Sequence, residues 1–141
     1  MIIKQLSVFL ENRSGRLTEV TAALASQNIN ITAQSLADTS EFGVLRMVVS
    51  EPERARAVLL ELGFSVSLTD VLCLTTPNAP GALHRALEIL SNCGISIDYM
   101  YAFALREKAY VILRTSDIAT SKAVLLEHQQ VLLSTSDVYA F

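Results

Sequence analysis

The segment Asn12-Arg13-Ser14-Gly15-Arg16-Leu17 recurs as Asn78-Ala79-Pro80-Gly81-Ala82-Leu83 at a spacing of 66 residues. The same spacing relates Asn28-Ile29-Asn30-Ile31 to Gly94-Ile95-Ser96-Ile97, and Ala57-Val58-Leu59-Leu60-Glu61 to Ala123-Val124-Leu125-Leu126-Glu127. Three separated segments held in one register describe a duplicated unit of several elements rather than a solenoid of short repeats. The 141 residues therefore divide into domains 1-68 and 69-141. Each is near the lower limit for folding alone, so each is expected to lean on the other. An apolar content of 51% exceeds what two small private cores need and points to a further covered interface.

Charge excludes one broad class of function. The net charge is −3, shared almost evenly between the halves, so there is no basic face for nucleic acid. No apolar run approaches the roughly 18 residues of a spanning helix. The N-terminus also lacks the charged-then-apolar pattern of a secretory leader, so a soluble, cytoplasmic protein is expected, without membrane contact. Cys73 and Cys93 have no paired-ligand spacing and read as small buried hydrophobes. His84 and His128 are isolated, so no metal site is expected.

The hydrophobic period switches between two and 3.6 in a fixed order. Ile2, Leu6, Val8 and Leu10 alternate as a strand, and Leu17, Val20, Ala23, Leu24 and Ala25 follow at helical spacing through Gln27. Ile29, Ile31 and Ala33 resume alternation up to a polar turn, Asp38-Thr39-Ser40-Glu41. Leu45, Met47 and Val49 form a third strand, Pro52 opens a helix through Leu62, and Gly63 closes it before Phe64 and Val66. In the second copy Ile95, Ile97, Tyr99, Tyr101, Phe103 and Leu105 place the odd positions on one apolar face. Val111 and Leu113 follow, then a helix about Val124, then a last strand from Val131 through Val138. The order βαββαβ, twice, predicts an α+β fold of two tandem ferredoxin-like sandwiches packed together. Helices cover one face of each sheet. The other face, with Val44, Arg46 and Val48 or Tyr110, Ile112 and Arg114, is expected to be bare and to pair within the chain or across a dimer. Ser67-Leu68-Thr69-Asp70 reads as a linker too short for independent motion.

The repeated N-x-[SP]-G-x-L lies between the first strand and first helix. There glycine turns the backbone, and the first free helix amides face one spot at the positive end of the dipole. Such a spot receives a small anion, and an amino-acid carboxylate fits it. Asn12 and Asn78 could add amides that both donate and accept, and Arg13 and Arg16 could hold a carboxylate bidentately. A purely structural alternative stands beside this: Asn as an N-cap, Gly as a turn residue, and the arginines in solvent. The polar Asn30, Ser96 and Asp98 lie opposite the isoleucines of the second strand. Tyr99, Met100 and Tyr101 could line a side-chain pocket or belong to the core.

These loops, the G-I-N-I-like segment after the first helix and the βαββαβ order together resemble the ACT domain, an amino-acid-binding regulatory module, in two tandem copies over nearly the whole chain. The chain looks like the stand-alone double-ACT proteins of bacteria. The resemblance implies ligand sites at interfaces between ACT units, where the loop of one unit faces the second strand of another. The implied loop set is Asn12, Arg13, Ser14, Gly15, Arg16 and Leu17, with Asn78, Ala79, Pro80, Gly81, Ala82 and Leu83 in the second copy. The implied facing set is Asn30 and Ile31, with Ser96, Ile97 and Asp98. The first copy departs from the family at Ser14, where proline is favoured, and at Asn28, where glycine is.

The resulting expectation is a non-catalytic regulator. It binds a free amino acid, forms a homodimer, needs no cofactor, and modulates an enzyme of amino-acid biosynthesis in trans. One alternative is an assembly module in which the loops are only turns. Another is an acylphosphatase-like hydrolase, against which stands the lack of any histidine in the repeated motifs.

Overall fold

A computed structural model of the chain describes residues 1–38 and 41–141. The elements run β1 (Ile2–Glu11), α1 (Arg16–Ser26), β2 (Ile31–Asp38), β3 (Phe42–Val49), α2 (Pro52–Glu61) and β4 (Ser65–Pro77). They continue as α3 (Ala82–Asn92), β5 (Ile97–Leu105), β6 (Lys108–Thr115), α4 (Ile118–Glu127), β7 (Val131–Leu132) and α5 (Thr135–Tyr139). This is βαββαβ twice over, with β4 closing the first repeat and opening the second. Two compact units result, one of Lys4–Thr69 with Phe141 and one of Met1–Ile3 with Asp70–Ala140.

In the first unit β3 lies antiparallel to both β1 and β2, with Leu45 opposite Val8 and Leu36. Ser7 Oγ and Thr69 Oγ1 are 3.4 Å apart, which sets the start of β4 beside β1. Alternation sends Leu6, Val8 and Leu10 of β1 and Leu45, Met47 and Val49 of β3 to one face, where α1 and α2 deliver Val20, Leu24, Ala55 and Leu59. In the second unit β6 lies between β4 and β5, and β7 pairs with β4 through Leu74 and Leu132. Leu72, Leu74, Val111 and Leu113 meet Ala86, Leu90 and Leu125 from the helices. Each fully buried leucine contributes about 1.5–3 kcal/mol, so these layers carry the stability of each unit.

The duplication extends to backbone conformation. Left-handed residues fall at Gly15 and Gly81, at Asn28 and Gly94, and at Gly63 and Gln129. Asn28 thus adopts the conformation glycine supplies in the other copy, at φ 56°. Both α1 and α3 end with the amide three residues past the helix donating back inside it, Ile29 to Leu24 O and Ile95 to Leu90 O, each at 3.0 Å.

Several expectations need correction. Ser67-Leu68-Thr69-Asp70 is the interior of β4 and no linker. The last strand stops after Val131 and Leu132, because Ser134 and Asp137 form a capping box that starts α5. The odd positions of β5 are not one continuous face. A register shift between Ile97 and Tyr99 puts Ile97 and Met100 against the helix-side core and leaves Tyr99, Tyr101 and Phe103 opposite Arg114, Ile112 and Tyr110. On the helix-free faces Val48, Cys73 and Ile112 are buried. In the second unit the Leu133 amide donates to Cys73 O at 2.9 Å, which brings the end of the chain along β4. Cys93, expected to be buried, is exposed at the C-cap of α3. Thr39 and Ser40 of the expected polar turn lie outside the described residues.

Candidate functional site

The two repeated loops form the same object. Gly15 (φ 90°) and Gly81 (φ 83°) are the N-cap residues of α1 and α3, and neither helix start receives a side-chain cap. The asparagines are therefore not N-caps, which removes the structural alternative in that form. Arg16 N–H reaches Arg13 O at 3.4 Å and Glu19 N–H reaches Gly15 O at 2.9 Å, while the amides of Leu17 and Thr18 between them take no partner among the described residues. In the second loop Ala82 donates to Ala79 O and Arg85 to Gly81 O, and Leu83 and His84 are left in the same way. These amides sit at the positive end of each helix dipole.

Around this shared geometry the copies differ. The first loop borders a cavity of about 90 Å³ lined by Leu10, Glu11, Asn12, Arg13, Arg16, Leu17, Leu36, Asp38 and Gly43. Strand register explains its floor, because Gly43 of β3 lies opposite both Leu10 and Asp38. A Cβ at Gly43 would come within 3.3 Å of Leu36 Cδ1. Arg13 is exposed and pairs with Glu11 at 3.0 Å. Arg16 is held on three sides: Nη1 meets Glu19 at 2.7 Å, the guanidinium carbon lies 4.5 Å from the Phe64 ring centroid, and the side chain is only 18% exposed. Its Nε is buried and has no partner. Arg16 also lines a second cavity of about 190 Å³ with Phe9, Glu11, Phe42, Gly63, Phe64 and Ser65.

In both copies the asparagine ties the loop to the hairpin beside it, Asn12 N–H donating to Glu41 O at 3.0 Å and Asn78 N–H to Glu107 O at 2.8 Å. The Asn78 side-chain amide also donates to Arg106 O at 3.0 Å. Ala82, at the position of Arg16, is 4% exposed, and Leu83 packs on the core. Ala79 and Pro80 are exposed in the turn.

The facing residues lie elsewhere in their units. Asn30 precedes β2 and Asp38 ends it, so the length of that strand, about 25 Å, separates Asn30 from the first cavity. Asn30 N–H donates to Ser50 Oγ at 3.0 Å, and Ser96 N–H to Ser116 Oγ at 3.1 Å. Ile31 and Ile97 pack on their cores. Asp98 is 3.8 Å from Arg114 Nε. Within one unit, loop set and facing set therefore do not meet.

Of the expected residues, Asn12, Arg13, Arg16 and Leu17 line the first cavity, and Ser14 and Gly15 do not. Sequence reasoning missed Asp38, Leu36, Gly43 and Phe64. Asp38 was legible only as part of a polar turn, and nothing in the pattern set it opposite Gly43.

Residues 1–140 match the family model described as an ACT domain pair. A crystal structure of a protein from Bacteroides thetaiotaomicron is 47% identical and superposes with a TM-score of 0.97, over 100% of this chain and 98% of that one. The fold is shared with the regulatory subunit of aspartate kinase from Thermus thermophilus, in its ligand-free form, at 16% identity, TM-score 0.68, and 89% and 90% coverage. The corresponding subunit from Thermus flavus gives 19%, 0.62, 89% and 90%. No match was found among curated proteins.

Proposed function

Because the chain belongs to the ACT domain pair family, we propose that it is a non-catalytic regulator which binds a free amino acid and passes the resulting conformational preference to an enzyme of amino-acid metabolism. The observation that carries this is the pair of uncapped helix starts behind left-handed glycines, one of them opening on a cavity walled by carboxylates and guanidinium groups. An α-amino acid presents a carboxylate beside an ammonium, and that cavity offers a complement to each. Among the described residues no histidine, cysteine or serine lines it, which supports a binding role over a hydrolytic one.

The loop set is Asn12 to Leu17, with Asn78 to Leu83 as its copy, and the facing set is Asn30, Ile31, Ser96, Ile97 and Asp98. Since these sets lie apart within a unit, a further ACT unit must supply the facing residues, and a second copy of the chain can do so. Such a homodimer gives the ligand two bodies to hold in one arrangement, which is all that regulation by differential affinity requires. The aspartate kinase regulatory subunits that share the fold support a partner enzyme acting on amino acids. No helix among the described residues is long and apolar enough to cross a membrane, in keeping with a cytoplasmic role.

Thermal unfolding with each of the twenty amino acids tests the proposal. A ligand at a hundredfold excess over its Kd stabilises by about 2.7 kcal/mol. A raised midpoint with at least one amino acid is expected, and no shift with any of them overturns the proposal.

A further inference from the structure

Between the second and third strands the two repeats carry turns of opposite charge. Asp38-Thr39-Ser40-Glu41-Phe42 in the first corresponds, at the repeat spacing, to Ala104-Leu105-Arg106-Glu107-Lys108 in the second. Glu11 and Glu19, close to the first turn, are already paired with Arg13 and Arg16. Among the described residues Asp38, Glu41, Arg106 and Lys108 join no ion pair. The first turn therefore shows uncompensated negative charge, and the second a net positive charge even with Glu107 between its two cations.

Beside each turn, large apolar side chains stand on the helix-free face. Phe42 lies opposite Glu11 in the register of β1 with β3, two residues along from Phe9, so both rings share that face. Each is 52% exposed, and with Phe64 they wall the cavity of about 190 Å³ described above. In the second unit Leu105 lies opposite Lys108, and Phe103 opposite Tyr110 with the two rings 5.3 Å apart. Leu105 is 54% exposed. Apolar surface of this kind, gathered at one end of a sheet and rimmed by charge, marks an interaction site.

We infer that the β5–β6 turn of one copy of this chain docks on the first unit of a second copy, with Leu105 entering the cavity between Phe9 and Phe42 and with Arg106 and Lys108 set against Asp38 and Glu41. It rests on the second copy invoked in the function proposed above and names a surface for it. Charge selects the pairing, because an acidic turn repels its own kind and attracts the basic one. Size permits it, since the cavity of about 190 Å³ exceeds the roughly 150 Å³ that holds a benzene ring. Asn30 precedes β2 and lies about 25 Å from this turn, so the contact is separate from the one that would bring a facing strand to a loop.

Sedimentation velocity of the full chain over a range of protein and salt concentrations decides the matter. Concentration-dependent association is expected, weaker as salt rises to about 1 M, where the screening length falls to about 3 Å. Glu41→Lys and Lys108→Glu should each weaken association at least about tenfold, the effect of setting like charges together, with the circular dichroism spectrum unchanged. Leu105→Asn should weaken it as well. Mixed in equal amounts, Glu41→Lys and Lys108→Glu should associate again, because each reversed turn then meets its complement. Undiminished association in either folded charge variant, or a mixture that stays apart, would overturn this inference and leave the homodimer and the amino-acid regulator standing. A parent chain that remains monomeric at every concentration overturns both this contact and the homodimer.

Discussion

The guanidinium carbon of Arg16, the first residue of α1, lies 4.5 Å from the ring centroid of Phe64, the residue that joins α2 to β4. Phe64 is 4% exposed and belongs to the core of the first unit. A charged loop residue is therefore seated on the hydrophobic core, and its Nη1 is drawn to Glu19 at 2.7 Å. The seat orders a long side chain in advance, which lowers the entropy lost when a ligand is gripped.

Replacing the seat should loosen the grip. Phe64→Leu is expected to cost about 1–2 kcal/mol of stability through lost contact area and the lost cation–ring attraction, read as a lower urea midpoint. The same variant should weaken amino-acid binding without touching a ligand, because Arg16 must then be ordered at the moment of binding. Unchanged affinity in a folded Phe64→Leu would show that Arg16 is positioned by Glu19 alone.

A second prediction concerns the start of the second strand. Ser50 N–H donates to Asn30 O at 2.9 Å while Asn30 N–H donates to Ser50 Oγ at 3.0 Å, and Ser116 and Ser96 repeat the pair at 3.0 and 3.1 Å. Ser50→Ala and Ser116→Ala each strand one amide, at an expected cost of about 0.5–1.5 kcal/mol. Equal costs by chemical denaturation are the specific outcome, because the geometry is the same. A loss in one variant only would mean that one copy satisfies its amide elsewhere.

The cysteines give a third. Burial pushes the Cys73 thiol from its ordinary value of 9.0 up to about 12, whereas Cys93 is exposed. At neutral pH the Cys73 thiolate is on the order of one part in 10⁵, so iodoacetamide should add one label to the native chain and two in urea, as counted by mass spectrometry. The sign of the pH effect follows. The unfolded chain releases the Cys73 proton above about pH 9 and the folded chain holds it until about pH 12, so stability contributed by this group is intact below pH 9 and declines through that window. Cys73→Ala should flatten the alkaline decline of the unfolding midpoint.

The cavity residues show where sequence reading stops. Asn12, Arg13, Arg16 and Leu17 are contiguous with a recognisable turn and could be named from the chain alone. Gly43, Leu36 and Asp38 join them only because β2 and β3 pair in one register, and that register depends on a shift between Ile31 and Ala33 which hydrophobic alternation does not reveal. The equivalent shift after Ile97 turned Tyr99 and Tyr101 away from the helix-side core.

By itself the chain determined its duplication, the order of its elements and the place of its two glycine turns. Those properties are local, since periodicity, left-handed residues and helix starts are specified within a few neighbouring positions. The tertiary structure alone decided which side chains meet at the first turn. Asp38 and Arg16, far apart in the sequence, line one cavity, and only strand register brings them to a common point.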